Sequence, residues 1–297
     1  MPRHRRIGLQ RGRDAAARRQ GQTQAPGAPG GKSQGPAHGQ GLGLGLYLLT
    51  TGSPPGAAGG HGQPVFDPYY LTVIADAPLA YWRLSEQSGT TVIDASGNNV
   101  NGTYVNSPTL KQAGIPGAVG NNAAKFDPAN GIIAGQQQYA HFGDVLPLTG
   151  TKLSIEFWLR ALTTVATAAF APYIARGDVT WRVNTTNTTG VDTLQFAVGS
   201  GSTPSVSATG LGFSDGNWHH VVCVYDQTNL IIYKDGGSVA SKAWSTDVPA
   251  AAGKDVGISW NSDQTGRWIH AIMDEVAIYN TALSAARVLA HYNAGIA

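Results

Sequence analysis

Between residues 152 and 162 apolar and polar side chains alternate with a period of two. Leu153, Ile155, Phe157 and Leu159 point one way, and Ser154, Glu156, Trp158 and Arg160 the other. That period belongs to a strand, in which successive side chains leave opposite faces. Shorter runs of the same kind recur from Tyr69 onward, each closed by turn residues. Tyr81-Trp82-Arg83-Leu84 precedes Ser88-Gly89, and Thr91-Val92-Ile93 precedes the polar stretch 94–99. Residues 218–225 and 230–233 flank Asp226-Gln227-Thr228-Asn229, the pattern of a hairpin with a polar tip. Asp235-Gly236-Gly237 offers a second tight turn, because glycine accepts positive φ freely. Residues 239–244, 256–260 and 269–279 read as later strands. A short helix is expected over 285–292, capped by Ser284 and stopped by Asn293-Ala294-Gly295. Many short strands without a long helical period define an all-β chain, a two-sheet antiparallel sandwich or jelly roll with a short C-terminal helix.

Residues 1–64 break this pattern. They are rich in Gly, Gln, Pro, Ala and Arg and nearly devoid of aromatic and β-branched side chains. So little apolar area cannot offset chain entropy, which predicts an extended arm ahead of a folded domain at 65–297. The arm holds eight basic residues and one acid, net +7; the remainder holds 12 basic and 17 acidic residues, net −5. A basic arm on a mildly acidic body is suited to docking elsewhere. Arg3, Arg5, Arg6, Arg11, Arg13, Arg18 and Arg19 are its candidate anchors, on an acidic protein lattice or on phosphates. The apolar run 42–49 is short and broken by glycine, too short to span a bilayer. It also follows a leader of about 40 residues, longer than a whole typical signal peptide. Only 13% of the chain is charged, a low share that leaves Gly, Ser, Thr and Asn to finish the surface. The one cysteine, Cys223, lies in an apolar run and reads as a buried small hydrophobe, so packing must supply stability.

Several ordered fragments carry a resemblance. Residues 75–86 (Ala-Asp-Ala-Pro-Leu-Ala-Tyr-Trp-Arg-Leu-Ser-Glu), 94–98 and 101–104 come first, then Leu148-Thr149-Gly150 leading into 154–160. Asn217-Trp218-His219-His220-Val221-Val222, Tyr233-Lys234-Asp235-Gly236, and Met273-Asp274-Glu275-Val276-Ala277-Ile278-Tyr279 with Ala282-Leu283-Ser284 follow. In this order residues 73–295 resemble the laminin-G-like, concanavalin A-like jelly rolls of bacterial surface and phage virion proteins. The resemblance implies the fold more strongly than the ligand, since one fold hosts many functions.

The chemistry is sparse. Glycosidases need two carboxylates across the scissile bond, and the glucanase branch places them as Glu-x-Asp-x-x-Glu on one strand. The three glutamates here, Glu86, Glu156 and Glu275, do not fall in that spacing, so no catalytic residue is assigned. His219 and His220 are neighbours in a strand and point to opposite faces, predicting one packed and one surface histidine. Alternation over 272–279 puts Asp274 on the interior side with Ile272, Val276 and Ile278, and Glu275 on the other side. A buried carboxylate must be paired, hydrogen-bonded or ion-bound. The resemblance implies a structural calcium, for which Asp94, Asn98 and Asp274 are the candidate ligands; no cofactor is otherwise required. Backbone and side-chain hydrogen bonding is the alternative. Trp181, Trp244, Trp260 and Trp268, near strand ends, are candidate stacking residues for a sugar or protein ligand.

The leading expectation is a non-catalytic structural or adhesion protein of a virion, such as a capsid decoration or fibre protein. Its arm would bind a virion or capsid protein, and its jelly roll would meet a glycan or cell-surface ligand, alone or as a homo-oligomer. A secreted carbohydrate-binding module, with cleavage near residue 59, is the first alternative. A glycoside hydrolase is the second.

Overall fold

The computed structural model describes residues 67–127, 136–148, 150, 152–166, 169–186, 192–199, 205–249 and 251–297. The arm and its seven arginines lie outside the described residues.

Helix α1 (Pro68–Ile74) opens the described chain. Asp67 caps it by accepting from Tyr70 N at 2.9 Å, and Pro68 fits the first turn, where no amide partner is needed. The strands follow as β1 (Ala80–Trp82), β2 (Thr91–Val92), β3 (Gly102–Val105), β4 (Thr109–Ala113), β5 (Asn122–Phe126) and β6 (Tyr139–Gly143). Next are β7 (Leu153–Ala166), β8 (Pro172–Ala175), β9 (Trp181–Asn184), β10 (Thr193–Val198) and β11 (Ser205–Thr209). Last come β12 (His219–Tyr225), β13 (Asn229–Lys234), β14 (Gly237–Ala243), β15 (Val256–Ile258) and β16 (Ile269–Tyr279), then helix α2 (Ala285–Gly295).

They build two antiparallel sheets. One runs β14-β13-β12-β7-β16-β5-β4, with β1 also on β16; the other runs β11-β10-β9-β8-β15-β6-β3-β2. The alternation read at 153–159 is realised on β7. Leu153, Ile155, Phe157 and Leu159 enter the inter-sheet core with Val221, Cys223, Tyr225, Met273 and Ile278. From the other sheet come Tyr104, Phe142, Ile174, Trp181, Val183, Leu194, Phe196 and Ile258. Each large apolar side chain removed from water here contributes about 1.5–3 kcal/mol. The β12–β13 hairpin closes on Asp226, whose carboxylate accepts from Thr228 N and Asn229 N. The β13–β14 turn uses Asp235 and Gly236, both at positive φ.

The polar side of β7 is not a solvent face. Helices α1 and α2 lie over it and enclose a second core with Tyr69, Val73, Tyr81, Trp158, Val222, Val224, Tyr279 and Val288. Ser284 caps α2 as expected, accepting from Arg287 N at 3.3 Å. The helix does not stop at 293 but runs through Gly295, which sits against the Trp158 ring where a Cβ would collide.

Candidate functional site

Two groups of chemistry-bearing side chains stand out, one under the helices and one on the far sheet. Under the helices, Glu156 projects from β7 and is fully buried. Its Oε1 accepts from Tyr69 OH at 2.8 Å, and His220 Nε2 lies 2.8 Å away. Its Oε2 accepts from Tyr279 OH at 2.7 Å, and His291 Nδ1 lies 2.9 Å from both oxygens. The other nitrogen of His291 is 2.8 Å from Asp76, which also pairs with Arg287. Burial alone would push the Glu156 carboxyl up. The His291 charge and the hydrogen bonds of His220 and His291 outweigh it and hold the carboxyl well below the usual range. Burial works against charge on His291 too, but the Glu156 charge and the bonds to Glu156 and Asp76 hold its imidazolium form above the usual value.

Glu275 and Asp274 occupy the same layer. Glu275 accepts from Tyr81 OH, from Asn121 Nδ2 at 2.7 Å and from Arg83, which also reaches Asp67 at 2.5 Å. Asp274 accepts from Ile115 N at 2.9 Å and from Asn121 Nδ2 at 3.0 Å. Burial and the adjacent Glu275 charge push Asp274 well above the ordinary carboxyl value; burial also raises Glu275, against the Arg83 charge. The expected split, Asp274 inward and Glu275 outward, is corrected here. Between Asp274 opposite Trp158 and Ala277 opposite Glu156, β16 carries one residue more than β7, with Glu275 at φ +51°. This bulge resets the alternation, so both carboxylates enter the helix-covered layer.

The candidate calcium ligands do not form a common set. Asp94 accepts from Tyr81 N, Ser96 N, Ser96 Oγ and Val100 N, so both its oxygens are already occupied. Asn98 commits its amide nitrogen to the carbonyls of Pro78 and Leu79. Asp274 belongs to the separate Asn121 network. Among the described residues no group of three His, Cys, Asp or Glu side chains could hold a metal ion. These residues do not fit a calcium site. His219 and His220 are both buried, which corrects the expectation of one surface histidine. His219 bridges Asp235 at 2.9 Å and Asp215 at 3.0 Å.

The four candidate tryptophans separate sharply. Trp181 is fully buried in the inter-sheet core, and Trp268 is 2% exposed. Trp244 packs partly buried against that core. Trp181 and Trp268 therefore offer no stacking surface, whereas Trp244 keeps part of its ring exposed just beyond β14 but packs on the core. Trp260 differs: it is half-buried and belongs to neither core. It stacks on Tyr139 at 5.3 Å and 13°, and its ring meets His141 edge-on at 5.2 Å. Tyr139 and His141 point outward from β6, since Ala140 and Phe142 between and beyond them fill the core. His141 Nε2 lies 2.9 Å from Asp255 Oδ2, and both side chains are about a third exposed. Gly257 makes this arrangement possible. It sits opposite His141 on β15, and a Cβ there would fall 2.6 Å from Trp260 Cε3.

The loop after Trp260 is tightly held. Asn261 and Gln264 both donate to Asp178 at 2.8 Å, and Asp178 N donates to Asp263 at 2.7 Å. The period-two pattern places Tyr139 and His141 in a strand. The partnership with Trp260, 119 residues beyond His141, carries no local signal.

A two-sheet antiparallel jelly roll, capped on one face by helices and bearing an aromatic cluster on the other, defines the class as a concanavalin A-like fold. The sequence profile described as Laminin_G_3, concanavalin A-like lectin/glucanases superfamily, matches residues 134–289, and the chain belongs to that superfamily. A search of curated proteins finds no match. Among solved structures, the chain is similar to domain 4 of AbnA, a GH43 extracellular arabinanase from Geobacillus stearothermophilus, in complex with arabinotriose. That likeness has 16% identity and a TM-score of 0.51, covering 72% of this chain and 98% of that one. It is also similar to botulinum neurotoxin type C, in a structure whose subject is interaction with two ganglioside molecules. There the identity is 14% and the TM-score 0.56, covering 75% of this chain and 52% of that one. The binding domain of botulinum neurotoxin DC in complex with SialylT gives 13% identity, a TM-score of 0.54, and coverage of 74% and 52%. The chain thus spans about half the length of both toxin structures. At these identities the likeness shows the fold.

Proposed function

We propose that this chain is a non-catalytic glycan-binding protein whose ligand site is the Trp260 cluster on the helix-free sheet. One observation carries the reading: a stacked Trp260–Tyr139 pair lies outside both hydrophobic cores, beside the solvent-reaching His141–Asp255 pair. Aromatic surface packs against the apolar faces of sugar rings, while a carboxylate and an imidazole accept from or donate to hydroxyls. The arabinotriose, SialylT and ganglioside ligands of the fold neighbours favour the same ligand class.

The absence of catalysis is supported by where the glutamates are committed. Glu156 and Glu275 are buried under the helices, and Glu86 accepts from Ile93 N and Tyr104 OH. A glycosidase needs two carboxyl groups flanking an accessible bond. Glu156→Gln should therefore perturb packing under the helices and leave no turnover to lose.

The arm suits anchoring. Its net charge of +7 on a body of −5 favours attachment to an acidic lattice, as in a virion decoration or fibre protein displaying its jelly roll outward. Trp260→Ala should abolish retention on immobilised glycans while the far-ultraviolet spectrum and melting temperature stay close to the parent. Undiminished retention would sink the site. Deleting residues 1–64 should release the protein from its particle while glycan binding survives; a truncated chain that still assembles normally refutes the anchor.

A further inference from the structure

Resting on the Trp260 site, we infer that the ligand is a neutral oligosaccharide and that the Asp255 carboxylate makes this choice. An acidic sugar needs a cation to receive its carboxylate. Among the described residues, the cations on the strands and loops that flank Trp260 are already engaged. Lys254 pairs with Asp263, Arg176 pairs with Asp144 at 2.7 Å, and Arg182 donates to the Asp178 carbonyl at 2.6 Å. Arg267 donates to Gln264 at 2.6 Å and lies over the Phe170 ring. Joined to the aromatic pair through His141 is instead the Asp255 carboxylate, with its side chain 34% exposed. Among the described residues its side-chain partner is His141, so the outer lone pairs of the carboxylate remain available to accept from hydroxyls. A sugar carboxylate brought to the same place meets a like charge, which discriminates between ligands more than it adds raw affinity.

The contrast with an acid-binding site is therefore local and testable at one residue. Asp255→Asn keeps the shape and one acceptor but removes the charge. It leaves β15 intact, because Asp255 precedes the strand and its backbone is not in the ladder.

The full chain should be applied to an array of matched oligosaccharides, each neutral compound beside its carboxylated derivative. The best-binding pair should then be titrated calorimetrically at neutral pH. The parent should bind the neutral member roughly tenfold or more tighter, Asp255→Asn should narrow that ratio to about threefold or less, and Trp260→Ala should lose both. A parent that prefers the carboxylated member, with that binding lost in Trp260→Ala, leaves the site standing and overturns the neutral-ligand inference. An unchanged ratio in Asp255→Asn removes that residue as the selector. No glycan binding, or binding indifferent to Trp260→Ala, overturns the site itself. Melting curves of both variants confirm that each is folded.

Discussion

The two outer faces of the sandwich treat their polar side chains in opposite ways. Under the helices, Glu156, Asp274, Glu275, His220 and His291 are all fully buried, and the carboxylates meet protein donors. On the helix-free sheet, His141 and Asp255 have one another and otherwise face water beside Trp260. Both faces carry a carboxylate, a histidine and a tryptophan. The difference is cover, and cover turns the same residue types from potential ligand contacts into internal fastenings. A carboxylate with its lone pairs committed holds elements together; one with lone pairs spare can hold something else.

The largest effect should come from breaking the covered face. Glu156→Ala strands His220, His291, Tyr69 and Tyr279 without their shared acceptor, and should cost about 3–5 kcal/mol in denaturant unfolding. A loss below about 1 kcal/mol would mean that the network is not the clasp holding α1 and α2 to β7.

Next is Gly257→Val on the open face. The added side chain must displace Trp260, so glycan retention should vanish with a loss of about 1–3 kcal/mol in stability. Retained binding would show that the Trp260 position is not needed.

The pH dependence sharpens the contrast further. His219 and His291 are raised in the folded state, so their contribution is complete below the unfolded value of about 6.5 and lost as pH rises through the folded value. Asp274 and Glu275 are also raised, and their retained protons act in the same direction from about pH 4 upward. Glu156 is lowered, so its contribution is present above about 4.3 and lost on acidification. Stability should therefore decline from mildly acidic to alkaline pH. His291→Gln should flatten that decline, as read from urea midpoints. A parent whose midpoint rises from pH 6 to about pH 9 contradicts the assignment.

The smallest expected effect is that of a chelator. Because the oxygens of Asp94 are filled by four protein donors, excess chelator should leave the melting temperature unchanged within about 1 °C. A drop of several degrees would restore the calcium ion.

Much of this was legible in the residues because strand alternation is a local signal. The run 153–159, the Asp226–Asn229 turn, Asp235-Gly236 and the Ser284 cap could each be read in place and matched the fold. What escaped were features decided by distant cover or by one extra residue. Helix α1 was missed because Tyr69-Tyr70-Leu71-Thr72-Val73-Ile74 is aromatic and β-branched; the Asp67-Pro68 cap and packing on α2 override that propensity. The β16 bulge at Glu275 has no glycine to announce it, and it moved Asp274 from the expected inner face to the helix-covered side that Glu275 shares. The four tryptophans look alike in sequence, and only the packing of distant strands separates Trp260 from Trp181 and Trp268.

The division of the molecule into a sealed face and a ligand face can be tested in one titration. The seven tryptophans give seven indole NH resonances, which single substitutions can assign. On addition of the best neutral oligosaccharide from the array, the Trp260 indole should shift in proportion to occupancy while that of Trp158, beneath the helices, stays fixed. Movement at Trp158 with Trp260 unperturbed would place the ligand on the wrong side of the sandwich and contradict the account.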